Sequence, residues 1–233
     1  MHDVHIPKDV IDRVIARQGR AHTYETLDPA TTALLVIDMQ NYFMADGELA
    51  CCRDARDIVP NVNRLAASLR QTGGMVVWIQ NAAPEETLTS WANLHEMYEP
   101  EKRALRRERL SEGCEGYALW DALDIAPDDA RVVKTRYSAF IQGSSDLEAL
   151  LRKAGIGTVI VTGVATNVCC ESTARDAMMR GFRTLMVSDA NAAATDAEHN
   201  AALATFLLFF GDVQSTDEVI TRLEHGAGRA AAE

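Results

Sequence analysis

Short uninterrupted apolar runs alternate along this chain with longer stretches whose apolar residues recur every three to four positions. The runs at 32–38, 75–80, 132–134, 157–162 and 183–187, with a last one starting at Val213, are the pattern of strands buried on both faces. Between them, Ile58, Val62, Leu65 and Leu69 fall on one side of a helix over 57–72, and Gly73-Gly74 stops it. Similar periodicity predicts helices over 117–123, 145–154 (Ser145 as cap, Gly155 as stop), 167–180 (stopped by Gly181), 197–210 and 216–223. Strands alternating with helices predict an α/β fold: three α-β-α layers around a mostly parallel, Rossmann-like sheet of about six strands.

Polarity marks the remaining segments. Residues 1–30 form a polar leader, with a short helix over 4–17 whose inner side carries Val10, Val14 and Ile15. Residues 31–225 form one domain, and the Ala-rich stretch 226–233 reads as a disordered tail. The stretch 82–116 is a long polar insertion, either a lid, a substrate loop or a surface excursion. Within it, 101–109 alternates charge as a solvated helix does.

Composition narrows the function classes. The 233 residues suffice for one α/β domain with a full core. A formal net charge of −11 argues against partners such as nucleic acid or anionic membranes. No run has the length of a membrane span, and the N-terminus lacks the apolar core of a signal peptide, so the expectation is a cytoplasmic protein. Five cysteines, two pairs of them adjacent in sequence, are neither a disulfide framework nor a zinc motif.

Candidate chemistry sits at three strand ends. After the run at 157–162 the chain turns through Gly163 and enters a helix with Cys169 in its first turn. There the helix dipole and free N–H groups favour negative charge, which predicts a lowered thiol pKa and a thiolate nucleophile. Asp38 ends the first apolar run and Lys134 ends another. These three meet only if their strands are neighbours, and open α/β sheets place ligand chemistry at carboxyl strand ends. Cys170 projects about 100° away from Cys169 on a helix and is assigned to packing. Cys51, Cys52 and Cys114 receive no role.

Three segments carry a resemblance: Asp38 in VIDMQN, Lys134 in KTRYSAF and Cys169 in GVATNVCCESTARDA. From about residue 32 to 223 the chain resembles the isochorismatase-like cysteine hydrolases, a superfamily with nicotinamidases, N-carbamoylsarcosine and ureidoacrylate amidohydrolases, biuret hydrolases and isochorismatases. The resemblance implies an Asp38–Lys134–Cys169 catalytic triad. It implies a cis peptide at Val164–Ala165, oxyanion donors in the N–H groups of Ala165 and Cys169, and a homodimer or homotetramer. DMQN, WIQN and GVATNVC look most like the ureidoacrylate type, which implies hydrolysis of a linear ureido, carbamoyl or carboxamide C–N bond through a thioester. Nicotinamidases of the superfamily carry a metal on an Asp-x-His motif and further histidines. Residues 80–85 here hold no histidine, and His95 is the only one nearby, so the expectation is no metal and no other cofactor.

For the small-molecule substrate, the amides of Gln40, Asn41, Gln80 and Asn81 suit a urea-like group, though they equally suit caps and turns. Trp91, Tyr137 and Phe140 are expected to wall the pocket. Arg136 meets either a substrate carboxylate or a protein acid. Two competing readings remain. One is an isochorismatase-type vinyl ether hydrolase, which needs the acid but not the thiol. The other is a non-catalytic interaction protein on the same fold.

Overall fold

The computed structural model describes residues 1–230. Its strands are β1 (Thr32–Ile37), β2 (Met75–Asn81), β3 (Ala130–Lys134), β4 (Thr158–Val164), β5 (Arg183–Ala192) and β6 (Asp212–Gln214). The helices are α1 (Lys8–Gln18), α2 (Asn41–Met44), α3 (Val59–Thr72), α4 (Thr87–Ser90), α5 (Ala92–Glu96), α6 (Pro100–Arg109), α7 (Leu147–Lys153), α8 (Glu171–Met179), α9 (Asp196–Phe209) and α10 (Thr216–Ala230). All strand pairings are parallel, in the order β3-β2-β1-β4-β5-β6.

Strand periodicity splits the core into two layers. Leu35, Ile37, Val77, Ile79, Val159 and Val161 face one way, onto Leu147 and Leu151 of α7, Ala174 and Ala177 of α8, and Leu203 and Phe206 of α9. Leu34, Val36, Val76, Trp78 and Ile160 face the other way, onto Val62, Leu65 and Leu69 of α3 and Val219 and Leu223 of α10. Each of the larger aliphatic and Phe side chains contributes about 1.5–3 kcal/mol on burial. That both layers are covered explains why β1 and β4 read as unbroken apolar runs rather than as alternating ones.

The topology sets the site. Crossovers run outward in opposite directions from β1 and β4, so the crevice at their carboxyl ends is the switch point of the sheet. Gly163 makes the close approach there possible. Its φ is +116°, and a Cβ on it would lie 2.1 Å from the Ile37 carbonyl oxygen.

Several expectations are corrected. In the leader, α1 starts at Lys8 and buries Val10 and Val14 while Ile15 stays exposed. The helix expected at 117–123 is only a 3₁₀ turn, Glu115–Tyr117. The backbone beyond it is used elsewhere: Asn41 N–H donates to Ala118 O at 2.9 Å and Trp120 N–H to Met39 O at 2.9 Å. The expected disordered tail is helical through Ala230, because α10 lies on the chain before β1, so close at Gly226 that a Cβ there would sit 1.8 Å from Leu27 O. Residues 231–233 lie outside the described residues. The insertion at 82–116 folds into α4, α5 and α6.

Candidate active site

Asp38 follows β1 with φ +54°, a left-handed conformation costly for a residue with a side chain. Its own N–H stays in register, donating to Ile79 O at 2.9 Å, and its carbonyl takes the Gln40 N–H at 2.7 Å. Lys134 ends β3, beside Asn81 of β2. The strands of Asp38 and Lys134 are therefore not neighbours, as sequence reasoning required, because β2 lies between them. Two strand spacings are roughly 10 Å, and the lysine side chain, the contact and the aspartate side chain together span them. Lys134 Nζ lies 2.8 Å from Asp38 Oδ2, with both side chains fully buried, and it donates to Arg136 O at 3.0 Å.

The third residue comes from a turn that the sequence did not show. Between β4 and α8, Thr166–Cys170 forms one π-helical turn. Cys170 N–H donates to Ala165 O at 3.2 Å, and the Glu171 N–H reaches Thr166 O. Such wide turns recur at functional sites because they re-aim side chains. The Val164–Ala165 peptide before it is cis, as the resemblance implied. Cys169 is buried against both Asp38 and Lys134. Cys170 is buried in the core, its Sγ 3.8 Å from Thr162 O.

Electrostatics reverses one expectation. Burial, reinforced by the Asp38 charge, pushes the Cys169 thiol up to about 12, against the opposing pull of Lys134. The resting residue is a thiol, not the thiolate that the helix dipole suggested. Burial also raises Asp38, with Lys134 opposing. For Lys134, burial acts downward but the Asp38 charge outweighs it, so the ammonium is favoured. The two partners thus pull differently, one toward and one away from its charged form. The ion pair is the resting state, since a neutral Asp38 would leave the ammonium buried without an anion.

Beyond Lys134 and the Cys169 thiol, the Asp38 carboxylate has no hydrogen-bond partner among the described residues. Asn81 Oδ1 is buried and has no partner among them.

The other predicted substrate residues separate. The Gln40 amide is spent on backbone: Nε2 donates to Asn81 O (3.1 Å) and Tyr117 O (2.9 Å), and Oε1 accepts from Asn81 N–H (2.6 Å). Gln80 donates to Tyr117 O at 2.9 Å and Asn41 to Glu115 O at 2.9 Å. These three amides fasten the strand ends and are not free for substrate. Phe140 packs into the core, 5.4 Å from Phe182 between ring centres, and lines a different cavity with Ile141, Gln142 and Arg152. Trp91 and Tyr137 do line a cavity of about 470 Å³, with Ser138, Ser172 and Arg136. Their rings meet edge to face at 4.9 Å. Asp38, Lys134 and Cys169 are not among the residues that line this cavity. A cavity of about 520 Å³ lies at the opposite end of the sheet, by Met75 and Ala130, remote from this chemistry.

Among the described residues Arg136 has no acid partner; it donates to Ser90 O at 3.0 Å and lies over the Trp91 ring. His95 is buried, with Nε2 3.0 Å from Thr87 Oγ1.

Residues 32–218 match the model of the isochorismatase domain. The chain belongs to the isochorismatase family. Among similar family members, ureidoacrylate amidohydrolase RutB of Methylobacterium radiotolerans is 35% identical over 201 residues, covering 79% of this chain and 76% of that protein. RutB of Pseudomonas savastanoi pv. phaseolicola is 34% identical over 209 residues, 84% of each chain. The crystal structure of a cysteine hydrolase from Pseudomonas syringae pv. phaseolicola superposes with a TM-score of 0.77 at 30% identity, covering 86% of this chain and 95% of that one.

Family membership leaves two groups that sequence reasoning missed. His199 of α9 is buried, its Nδ1 2.8 Å from Thr166 Oγ1 and its Nε2 2.9 Å from Ser188 O. The carbonyl can only accept, so Nε2 carries the proton and Nδ1 accepts from the threonine. The π turn is thereby tied to α9. The polar stretch around His199, from Thr195 to Asn200, gave no such signal. His2, Asp54 and Asp196 form a metal-type grouping. Both His2 nitrogens are already used, Nε2 by the Ala193 N–H at 2.9 Å and Nδ1 by Asp196 at 2.7 Å. This is a hydrogen-bonded cap on the leader.

Proposed function

We propose that the protein is a cysteine amidohydrolase that cleaves a C–N bond of a small ureido, carbamoyl or carboxamide substrate. The observation carrying this reading is the buried Asp38–Lys134 pair at 2.8 Å, set against Cys169.

With the thiol high at about 12, proton loss accompanies attack. Sγ bonds to the substrate carbonyl carbon as its proton passes to Asp38, and Lys134 holds the carboxylate in place and keeps cationic charge beside the developing anion. The N–H groups of Ala165 and Cys169 are assigned to the oxyanion. As the tetrahedral species collapses, Asp38 gives its proton to the leaving nitrogen and the C–N bond breaks, leaving a thioester. Water then attacks the thioester, losing its proton to Asp38, and that proton returns to the departing sulfur. Burial of all three groups keeps bulk water from the thioester until the amine has left. The names of the RutB relatives favour a ureido acid. A vinyl ether substrate would need the acid but would give no use to the thiol.

Ammonia release from a panel of ureido acids and carboxamides tests this. Cys169→Ser is expected to lose nearly all turnover with the fold intact by circular dichroism, whereas Cys170→Ser retains most of it. Equal activity of Cys169→Ser and wild type would end the proposal.

A further inference from the structure

The insertion carries a charged group without a counterion. Arg106 of α6 is only 6% exposed, yet among the described residues it forms no salt bridge and its guanidinium makes no hydrogen bond. Its neighbour on the helix, Arg109, pairs with Glu48. A buried guanidinium without an anion is costly, so something absent from the chain must offset it or the position would favour an apolar residue.

The helix is fixed over the site. Leu110, where α6 ends, accepts from the Ala83 N–H at 3.4 Å, and Ala82 donates to Lys134 O at 2.9 Å. The last turn of α6 is therefore tied through two adjacent residues to the strand end bearing Lys134. From there the Arg106 charge bears on Asp38, Tyr42, Tyr137 and His95. Arg103, Arg107 and Arg136 add to the positive field around His95. These arginines concentrate positive charge on the insertion of a chain whose net charge is −11. Arg136 is a weaker candidate for an anion, because both its terminal nitrogens are already hydrogen-bonded, to Thr135 and Ser90.

The unpartnered buried atoms then describe a ligand. Asn81 Oδ1 asks for an N–H donor, and the Arg106 side chain, 6% exposed and without a salt bridge among the described residues, asks for an anion. We propose that Arg106 is a specificity-determining residue that binds the carboxylate of the substrate, so that the site selects ureido acids over neutral ureas. This rests on the hydrolase reading above and adds to it the ligand's charge and the residue that reads it.

The test compares 3-ureidopropanoate with the neutral 3-hydroxypropylurea, by turnover and, separately, by calorimetric binding to the Cys169→Ala protein. Wild type is expected to prefer the acid by about a hundredfold in kcat/KM, the acid losing its KM advantage in Arg106→Met and Arg106→Gln and recovering part of it in Arg106→Lys. The binding arm should show the same order. Arg106→Met is also expected to melt higher than wild type without ligand, since the unpaired cation is gone. A preference for the acid that survives Arg106→Gln, or is absent from wild type in both arms, overturns the proposal. If neither compound turns over, the hydrolase reading is at fault, while the binding arm still decides whether Arg106 reads the carboxylate. Should Arg106→Met not fold, Arg106→Gln and Arg106→Lys give the same comparison.

Discussion

A fully buried lysine costs several kcal/mol in desolvation unless an anion repays it, and Lys134 has that anion 2.8 Å away. Removing it therefore does two things at once. In Lys134→Met, Asp38 loses the cation that opposes its burial, so its pKa rises further, and the thiol loses the one group that held its own rise in check. Asp38 must be ionised to take the thiol proton. A base whose pKa rises is inactivated at higher pH, so the acid limb of kcat/KM should shift upward in Lys134→Met. At neutral pH the loss is expected to be about a hundredfold or more. A kcat/KM–pH profile of both proteins settles it: near-normal turnover with an unmoved acid limb would make Lys134 a structural partner only. At this scale the sequence was informative about identity and wrong about state. Motif and strand end together picked out Asp38, Lys134 and Cys169, but the thiol's resting protonation depends on how deeply the turn is buried, which no residue string records.

At the scale of elements, the nucleophile turn belongs as much to α9 as to its own helix. His199 holds Thr166 through Nδ1 only while it is neutral, and burial lowers its pKa from the ordinary 6.5 to about 4, with the stacked His2 assisting. Asp196 and Asp54, near His2, act in the opposite sense. The unfolded chain takes up this proton at 6.5 and the folded chain only near 4. The stabilising effect of a neutral His199 is thus complete above pH 6.5 and is lost as pH falls toward 4, by about 3 kcal/mol. In His199→Gln, where nothing titrates, the drop in urea-unfolding free energy between pH 7 and 4.5 should be smaller by about that amount. Parallel drops in the two proteins would show that His199 does not titrate as its burial requires. The six strands and the large helices were legible because their periodicity records burial on one or two faces. The π turn, the 3₁₀ turn at Glu115–Tyr117 and the amide fastenings of Gln40 and Gln80 were not, because they depend on which backbone groups end up facing each other. The same amides that looked like substrate ligands in the sequence turned out to hold Tyr117 and Asn81 in place.

The whole molecule raises the question of assembly. The stretch from Phe206 to Phe210 holds more apolar residues than one helix face can bury, and the structure divides it: Phe206 and Leu207 are core, while Phe209 is 60% exposed. On the adjoining α8, Met179 is 65% exposed and Met178 is also open to solvent. Arg175 of α8 lies 4.5 Å from the Phe210 ring, so these two helices share one surface. Scattered single apolar residues are normal on a protein surface, but a phenylalanine and two methionines on adjoining helices form the kind of patch that contacts between copies cover. The leader adds to the same side of the molecule, since α1 packs its Val10 and Val14 into the core layer that holds α9. We therefore expect a homo-oligomer, a dimer or tetramer, with α8 and α9 at the contact, and two-fold symmetry would set the same patch against itself. Light scattering at micromolar concentration should give a mass of at least twice 25.5 kDa for wild type. Phe209→Lys combined with Met179→Glu should shift that mass toward the single chain, since charges would then be desolvated at the contact. A wild-type mass of 25.5 kDa at that concentration overturns the expectation, and an oligomer undisturbed by the double substitution moves the contact to another face.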